Sequence, residues 1–570
     1  MKIRRLSLAA WLVCLGISTL WACSNDGVEE GVETGYQPSK GKPVDGIRIG
    51  WDYGSIRQLT ERGGYPRSIR LQDQSVVAVY ENHVTGFEMR RSTDDGATWG
   101  EPTLLFSIHE LTNGQGTTRV NIANSEIIQL ANGDLLVGCN YRPQTAEITP
   151  FSIAIRRSTD QGVTWSAPQI IYEAQPRFAD GCWEPSFLQL PNGDVQVYFA
   201  NEGPYTHSNE QEISMLTSKD NGQTWGDFKT VCFRAGSRDG MPVSKLVGDE
   251  IVCVIEDCGF VTFKPYTVRT KLVDNWKTPV LADSPQRRKA LGEPVEDWVY
   301  MGAPYLAVLP TSETLLSYQV DDKIHADQLG DRLPYCTMEV AIGDKEARDF
   351  TRRTRPFPIP DGKHALWPSV AVWDANTVVA LAASNYRDGA DSPCFIKGHV
   401  MRDLEVGPVE AAQASLFIGH TGQANLRAKV RKDAGNLYVT CQIQDTELYS
   451  GGQGSAKGSG VYLCLDTKNS CLTEPAEGAY KLWCSYQGDA MVWEGKEGKW
   501  INAQLDGLKV SHSLTAGGYS LTFTIPLKSS FNKEEMRIGA ALSTKYYVEE
   551  LVHSNLNKPY TWVKMSLKGK

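Results

Sequence analysis

The sequence predicts an all-β chain in which a six-bladed β-propeller is followed by a β-sandwich. Three observations carry that prediction. A strand–turn–strand pattern recurs six times between Ile69 and Ser384, a turn motif recurs three times in phase with it, and the pattern changes character after Glu405.

The six hairpins read IRLQDQSVVAVYE from Ile69, IIQLANGDLLVGCN from Ile127, FLQLPNGDVQVYFA from Phe187, VSKLVGDEIVCVIE from Val243, LAVLPTSETLLSYQ from Leu306 and VAVWDANTVVALAA from Val370. With Asp73, Asn132, Asn192, Gly248, Thr311 and Asp374 as turn markers, successive copies are 59, 60, 56, 63 and 63 residues apart. A unit of about four short strands with no helical periodicity cannot cover both faces of its own sheet, so it must stack on its neighbours around an axis. Six units imply six blades.

The turn motif is S-x-D-x-G-x-T-W, at Ser92 to Trp99, Ser158 to Trp165 and Ser218 to Trp225. Its Asp and Ser side chains suit a loop that they tie through hydrogen bonds, Gly supplies a positive φ, and Trp suits packing between blades. This resembles the Asp-box of the sialidase-like propellers, and it reads as a folding device rather than as three ligand sites.

Met1 to Cys23 has a basic start at Lys2, Arg4 and Arg5, an apolar run from Leu6 to Trp21, and an Ala22-Cys23 ending that resembles the lipobox of bacterial lipoproteins. That resemblance implies a signal peptide over residues 1–23, lipidation of Cys23, and an outer-membrane lipoprotein facing the periplasm or the cell surface. Residues 24–45 read as a Gly- and Glu-rich tether. The propeller is expected over residues 46–404 and the sandwich over 405–570.

A net charge of −9 with no basic patch argues against a nucleic-acid partner. Beyond Cys14 and Cys23, eleven cysteines remain, most of them inside apolar strands, which predicts buried thiols. Cys253 with Cys258 is the pair that an oxidising compartment would let bridge. Cysteine and histidine spacing predicts no metal site, and no cofactor is implied.

In the tail, LRAKVRKDAGNLYVTCQIQD, GVYLCLDTKN, AYKLWCSYQ, YSLTFTIPL and RIGAALSTKY alternate as sandwich strands do. Asn436 to Asp445 and Gly460 to Asp466 resemble family 9 carbohydrate-binding modules. That implies a sugar platform, for which Trp483, Trp493, Trp500 and Trp562 are the candidate stacking residues.

Chemistry is expected where strands return to the rim remote from the hairpin turns. Eight residues before Asn192 is Glu184, in G-C-W-E-P, and eight after Gly248 is Glu256, in V-C-V-I-E-D. The same forward count gives Glu81, Asn140, Ala200 and Gln319 in other blades. Two carboxylates from adjacent blades, one beside Trp183 and Pro185, are the pair that glycoside hydrolysis needs: a proton for the departing oxygen and a carboxylate for the anomeric carbon or its water.

Gly64-Tyr65-Pro66-Arg67, Trp183-Glu184-Pro185, Asn209-Glu210-Gln211-Glu212-Ile213 and Arg238-Asp239-Gly240-Met241-Pro242 resemble glycoside hydrolase family 93. The resemblance implies an exo-acting, retaining α-L-arabinanase that releases arabinobiose or arabinose from 1,5-linked arabinan, a plant polysaccharide. It places the two catalytic glutamates on Glu184 and Glu256, 72 residues apart. Glu184, with its apolar flank, is assigned as acid/base and Glu256 as nucleophile; retention predicts carboxyls about 5–5.5 Å apart.

Arg67, Gln211, Arg238, Asp239 and Gln319 are the expected sugar contacts, and the chain is expected to act as a monomer. One rival reading is an exo-sialidase, for which Arg67 would open an arginine triad whose other members are not visible. Another is a surface glycan-binding lipoprotein without catalysis, against which the paired glutamates argue.

Overall fold

The computed structural model describes residues 36–259, 261–322, 332–387, 389–407, 416–452 and 454–568. Six antiparallel sheets follow one another along the chain, and the first strand of each touches the first strand of the next, so these strands line a central axis. The axial strands are Gly63–Arg70, Gly116–Gln129, Cys182–Gln189, Asp239–Val247, Met301–Val308 and Ala365–Val372, and they define blades 1 to 6.

The ring closes by exchange of one strand. Arg48–Gln58, which precedes blade 1, pairs antiparallel with Ser392–Met401 as the outer strand of blade 6. Closure leaves no open sheet edge between the first and last blades. Blade 2 carries a fifth strand, His109–Asn113, because its axial strand extends to 14 residues and turns back on itself at the rim.

Each inter-blade gap holds its own apolar cluster. Val137 and Val79 meet between blades 1 and 2, Phe187 and Leu136 between 2 and 3, and Tyr198 and Cys253 between 3 and 4. Val254 and Leu316 meet between blades 4 and 5, Val340 and Val378 between 5 and 6, and Tyr80 and Leu381 between 6 and 1. Strands buried on both faces read as near-continuous apolar runs, and the six hairpins show such runs.

The three Asp-box turns repeat one hydrogen-bond set. Asp94 accepts from Thr98 N at 2.9 Å and Thr98 Oγ1 at 2.6 Å, while Ser92 Oγ accepts from Gly96 N at 2.8 Å. Asp160 and Asp220 do the same with Thr164 and Thr224. Donation from Thr98, Thr164 and Thr224 holds each carboxyl down to about 2. Trp165 packs on the cluster between blades 1 and 2, Trp225 on the next, and Trp99 on that between blades 6 and 1.

The rest of the chain forms two facing sheets, one built around Gly460–Asp466 and Glu535–Ser543 and the other around Asn436–Gln444 and Gly518–Pro526. Alternate residues of Asn436–Gln444 point inward, so Leu437, Val439, Cys441 and Ile443 enter a common core. Leu404–Glu405 already pairs with Val563–Ser566 and so belongs to the sandwich.

Two expectations change here. Cys23 and most of the expected tether lie outside the described residues, but residues 38–46 are docked rather than free. Gly41 N donates to Cys471 O at 2.8 Å and Val44 N to Tyr560 O at 3.1 Å, and Asp45 pairs with Arg537 at 2.7 Å. Their backbone groups find partners on the sandwich, which a composition-based reading does not detect. Trp483 and Trp562, two of the four proposed stacking residues, are 1% and 0% exposed and are buried on the face of their sheet turned away from the common core, Trp562 with Cys464 and Ala479 and Trp483 against Tyr462. Cys253 and Cys258 are free thiols, as are the other described cysteines.

Candidate active site on one rim of the propeller

Every axial strand breaks register at the same level. Pairing skips between Gly64 and Arg67, Ala123 and Glu126, Trp183 and Ser186, Gly240 and Val243, Gly302 and Tyr305, and Leu366 and Ser369. Inside each break one non-glycine residue takes a left-handed conformation: Tyr65, Asn124, Glu184, Met241, Ala303 and Trp367, with φ between 47° and 59°. A bulge leaves its extra residue out of the ladder, so the N–H of that residue needs a partner from elsewhere.

In four blades that partner is a side chain of the blade before. Glu81 accepts from Asn124 N, Glu256 Oε2 from Ala303 N at 2.9 Å and Gln319 Oε1 from Trp367 N at 2.7 Å. In blade 3 the corresponding position is Ala200, opposite Trp183, and it has no side-chain acceptor. The orphan Met241 N is instead taken by Glu184 Oε2 at 3.1 Å. The polar ring at the rim is therefore first a solution to a backbone problem.

That solution also brings the two glutamates together. Glu184 and Glu256 line one open cleft, with Trp183, Phe178, Gln211 and Arg238 around them. Glu256 lies across two glycines. A Cβ on Gly240 would stand 3.0 Å from Glu256 Oε1, and a Cβ on Gly302 would stand 2.9 Å from Oε2 and 2.2 Å from the Tyr300 hydroxyl. Glu184 bonds to the amide of residue 241 while Glu256 rests on residue 240, so the carboxyls bracket a single peptide unit.

Both carboxyls are partly buried, and both are shifted. Burial, then the neighbouring Glu256 charge, pushes Glu184 up to about 8. Burial pushes Glu256 up to about 7, against the pull of its bond from Ala303 N and of the Arg238 charge. With one acid raised to about 7 and its neighbour to about 8, the pair holds one proton just above neutrality, and Glu184 keeps it.

The remaining expected contacts divide. Gln211 and Arg238 face the cleft: Arg238 Nη2 donates to Gln211 Oε1 at 2.7 Å and also to Glu202. Arg67, Asp239 and Gln319 do not. The Arg67 guanidinium lies over the Tyr65 ring at 3.9 Å and the Tyr305 ring at 4.9 Å, is 3.6 Å from Glu126, and is sealed in the axial channel. Asp239 is fully buried in an ion pair with Arg287, which also binds Asp257 at 2.6 Å. Gln319 is spent on Trp367 N and on the Tyr300 hydroxyl, to which its Nε2 donates at 2.9 Å. The fold spends the polar atoms of Asp239 and Gln319 on its own partners, and it buries Arg67, whose Nη1 donates to Pro66 O at 2.9 Å and Trp367 O at 3.3 Å while its Nε has no hydrogen-bond partner.

Sequence reasoning missed Arg142, Phe178, Glu202, Phe263 and Tyr300, which complete the surroundings of the cleft. It also missed a signal for the bulge level: the left-handed residue precedes a proline in five blades, at Pro66, Pro185, Pro242, Pro304 and Pro368. Among the described residues no cluster of His, Cys, Asp and Glu is arranged to hold a metal ion.

A sequence profile of the BNR repeat-like domain matches residues 61–257, which span blades 1 to 3 and the first two strands of blade 4. No curated protein matches the chain. A crystal structure of a Dyadobacter fermentans protein of unknown function is 18% identical, with a TM-score of 0.45, over 63% of this chain and 99% of that one. The family 93 α-L-arabinofuranosidase of Fusarium graminearum, solved with arabinobiose, is 16% identical, with a TM-score of 0.42, over 62% of this chain and 98% of that one. A family 9 carbohydrate-binding module of Caldicellulosiruptor kristjanssonii, solved with cellotriose, is 14% identical, with a TM-score of 0.24, over 29% of this chain and 94% of that one.

Proposed function

We propose that the chain is a retaining, exo-acting glycoside hydrolase that cleaves α-1,5-L-arabinan from the non-reducing end. The observation that supports it is the pair of half-buried glutamates on consecutive blades, bracketing one peptide and both shifted upward. Glu184, the weaker acid, protonates the departing glycosidic oxygen. Glu256, ionised first, attacks the anomeric carbon to form a glycosyl-enzyme, and Glu184 then draws a proton from the incoming water.

A sialidase must neutralise its substrate's carboxylate with a set of arginines. Arg67, the residue that would begin such a set, is sealed beneath Tyr65 and does not reach the cleft.

Incubation with linear 1,5-arabinan tests the proposal. Reducing pentose sugar should appear with the starting anomeric configuration by proton NMR, and Glu184→Ala or Glu256→Ala should each lower the rate by at least about 10²-fold. Release by inversion, or full activity in either variant, would sink it. With this goes the proposal that Cys23 is lipidated in a bacterial outer membrane; incorporation of a labelled fatty acid, lost in Cys23→Ala, is the test.

A further inference from the structure

Behind the carboxylate cleft lies a buried ion network that the catalytic steps above do not use. In blade 4, Asp239 pairs directly across the ladder with Asp257, and the next pair along is Gly240 with Glu256. Side chains alternate along a strand, so Glu256 enters the cleft while Asp257 turns to the opposite face of the sheet, where Asp239 meets it. Two like charges directly opposite on one face push their strands apart.

Arg287 stands between them. It comes from the outermost strand of the blade, Arg287–Lys289, and its side chain is as fully buried as both carboxylates. Its Nη1 donates to Asp239 Oδ2 at 2.8 Å and its Nη2 to Asp239 Oδ1, while Nε and Nη2 donate to Asp257 Oδ2 at 3.0 and 2.6 Å. Arg234 adds bonds to Asp257 at 2.8 to 3.2 Å, so two carboxylates meet two guanidiniums.

The propeller itself does not require this network. At the equivalent pair the other five blades hold no charged residue, as with Met301 and Val320 or Ala365 and Ser384. A buried ion pair is weak support for stability, since packed apolar groups of like volume serve as well, and setting register is its best-attested use. The network sits in the blade that carries Glu256, and it has a line into the cleft. Asp239 O accepts from Gln211 Nε2 at 2.7 Å, and Gln211 Oε1 accepts from Arg238 Nη2 at 2.7 Å.

We propose that Arg287 is a positioning residue for the carboxylate pair: by holding Asp239 and Asp257 together it fixes Gly240 against Glu256, and with them the distance between Glu184 and Glu256. This role rests on the glycosidase reading for its chemistry and on the network for its geometry. Without the guanidinium the two buried acids separate and Glu256 moves away from residue 240. Glu184, raised by burial and then by the Glu256 charge, loses part of that second push.

Kinetics on linear 1,5-arabinan test it in wild type, Arg287→Met, and Arg287→Met combined with Asp239→Asn. Arg287→Met should cut kcat about 10²-fold, the scale of a misplacement of roughly 1 Å, with KM nearly unchanged because Arg287 does not line the cleft. The alkaline limb of its pH profile should move to lower pH. Adding Asp239→Asn removes the repulsion and should restore kcat about tenfold. Further loss of kcat in the double variant, or a change confined to KM, would overturn the positioning role. Arg287→Lys keeps the charge but cannot fork to both carboxylates; it should shift kcat and the alkaline limb in the same directions, and it stands in if the Met variant does not fold.

Carboxyl-carbon NMR of protein labelled with [δ-13C]glutamate, assigned with Glu184→Gln, reads the same displacement without substrate. A Glu184 midpoint lower in the Arg287 variants than in wild type supports the clamp even if arabinan is not cleaved, a result that would sink the substrate reading alone. An unshifted midpoint overturns the clamp and leaves arabinan hydrolysis standing.

Discussion

At the scale of single residues, Glu184 and Glu256 show how one side chain serves fold and chemistry together. Each accepts an amide hydrogen that a bulge has orphaned, and the enclosure that makes this necessary also raises its proton affinity. A retaining mechanism needs Glu256 ionised and Glu184 protonated, so activity should rise with pH through about 7 and fall through about 8, in a narrow bell of kcat/KM against pH. Stability carries the opposite sign. A carboxyl raised above its unfolded value of 4.5 favours the fold while protonated and loses that contribution as pH climbs through its folded value. Glu184→Gln should therefore leave the Tm unchanged at pH 4 and raise it at pH 9; an equal Tm shift at both would refute the buried-charge account.

At the scale of the element, the bulge is the unit of construction. It is repeated at one level in six axial strands, and four of its side chains, Tyr65, Met241, Ala303 and Trp367, pack together there. The same geometry makes Gly302 irreplaceable, since a methyl group there would overlap the Tyr300 hydroxyl and crowd Glu256. Gly302→Ala should keep the far-UV circular dichroism of the wild type and cut kcat about 10²-fold, the usual penalty for moving a catalytic group by roughly 1 Å. Wild-type kcat in that variant would show that Glu256 need not sit where it does.

At the scale of the whole molecule, propeller and sandwich are tied together by Arg48. This residue starts the strand that closes blade 6, is 1% exposed, and donates to Val552 O, His553 O and Thr561 O of the sandwich at 2.7 to 3.0 Å and to Val44 O at 2.6 Å. Burial lowers its proton affinity to about 10, still well above neutrality, so the charge persists. Arg48→Met would leave the buried Thr561 carbonyl without this donor, at about 1–3 kcal/mol, and remove the same donor from three part-buried carbonyls. Calorimetry should then resolve two transitions, with the first at a lower temperature than in wild type. One unshifted transition would show that the residue is not a tie between the two parts.

The sequence alone determined the ring. Apolar hairpins at a period near 60 residues, with Asp boxes in phase, admit few other ways of burying both sheet faces, and the period also places Glu184 and Glu256 at one level of adjacent blades. Strand register and repeat length are local quantities, and local quantities are legible. Which polar residues stay available to a ligand was decided only by tertiary structure. Arg67, Asp239 and Gln319 look as available in the sequence as Arg238, but Asp239 and Gln319 are bonded to Arg287 and Trp367, each 48 residues away along the chain, and Arg67 is buried beside Glu126, 59 residues away. A side chain's availability is what remains after the fold has satisfied its own buried donors and acceptors, and that remainder exists only once the blades have closed.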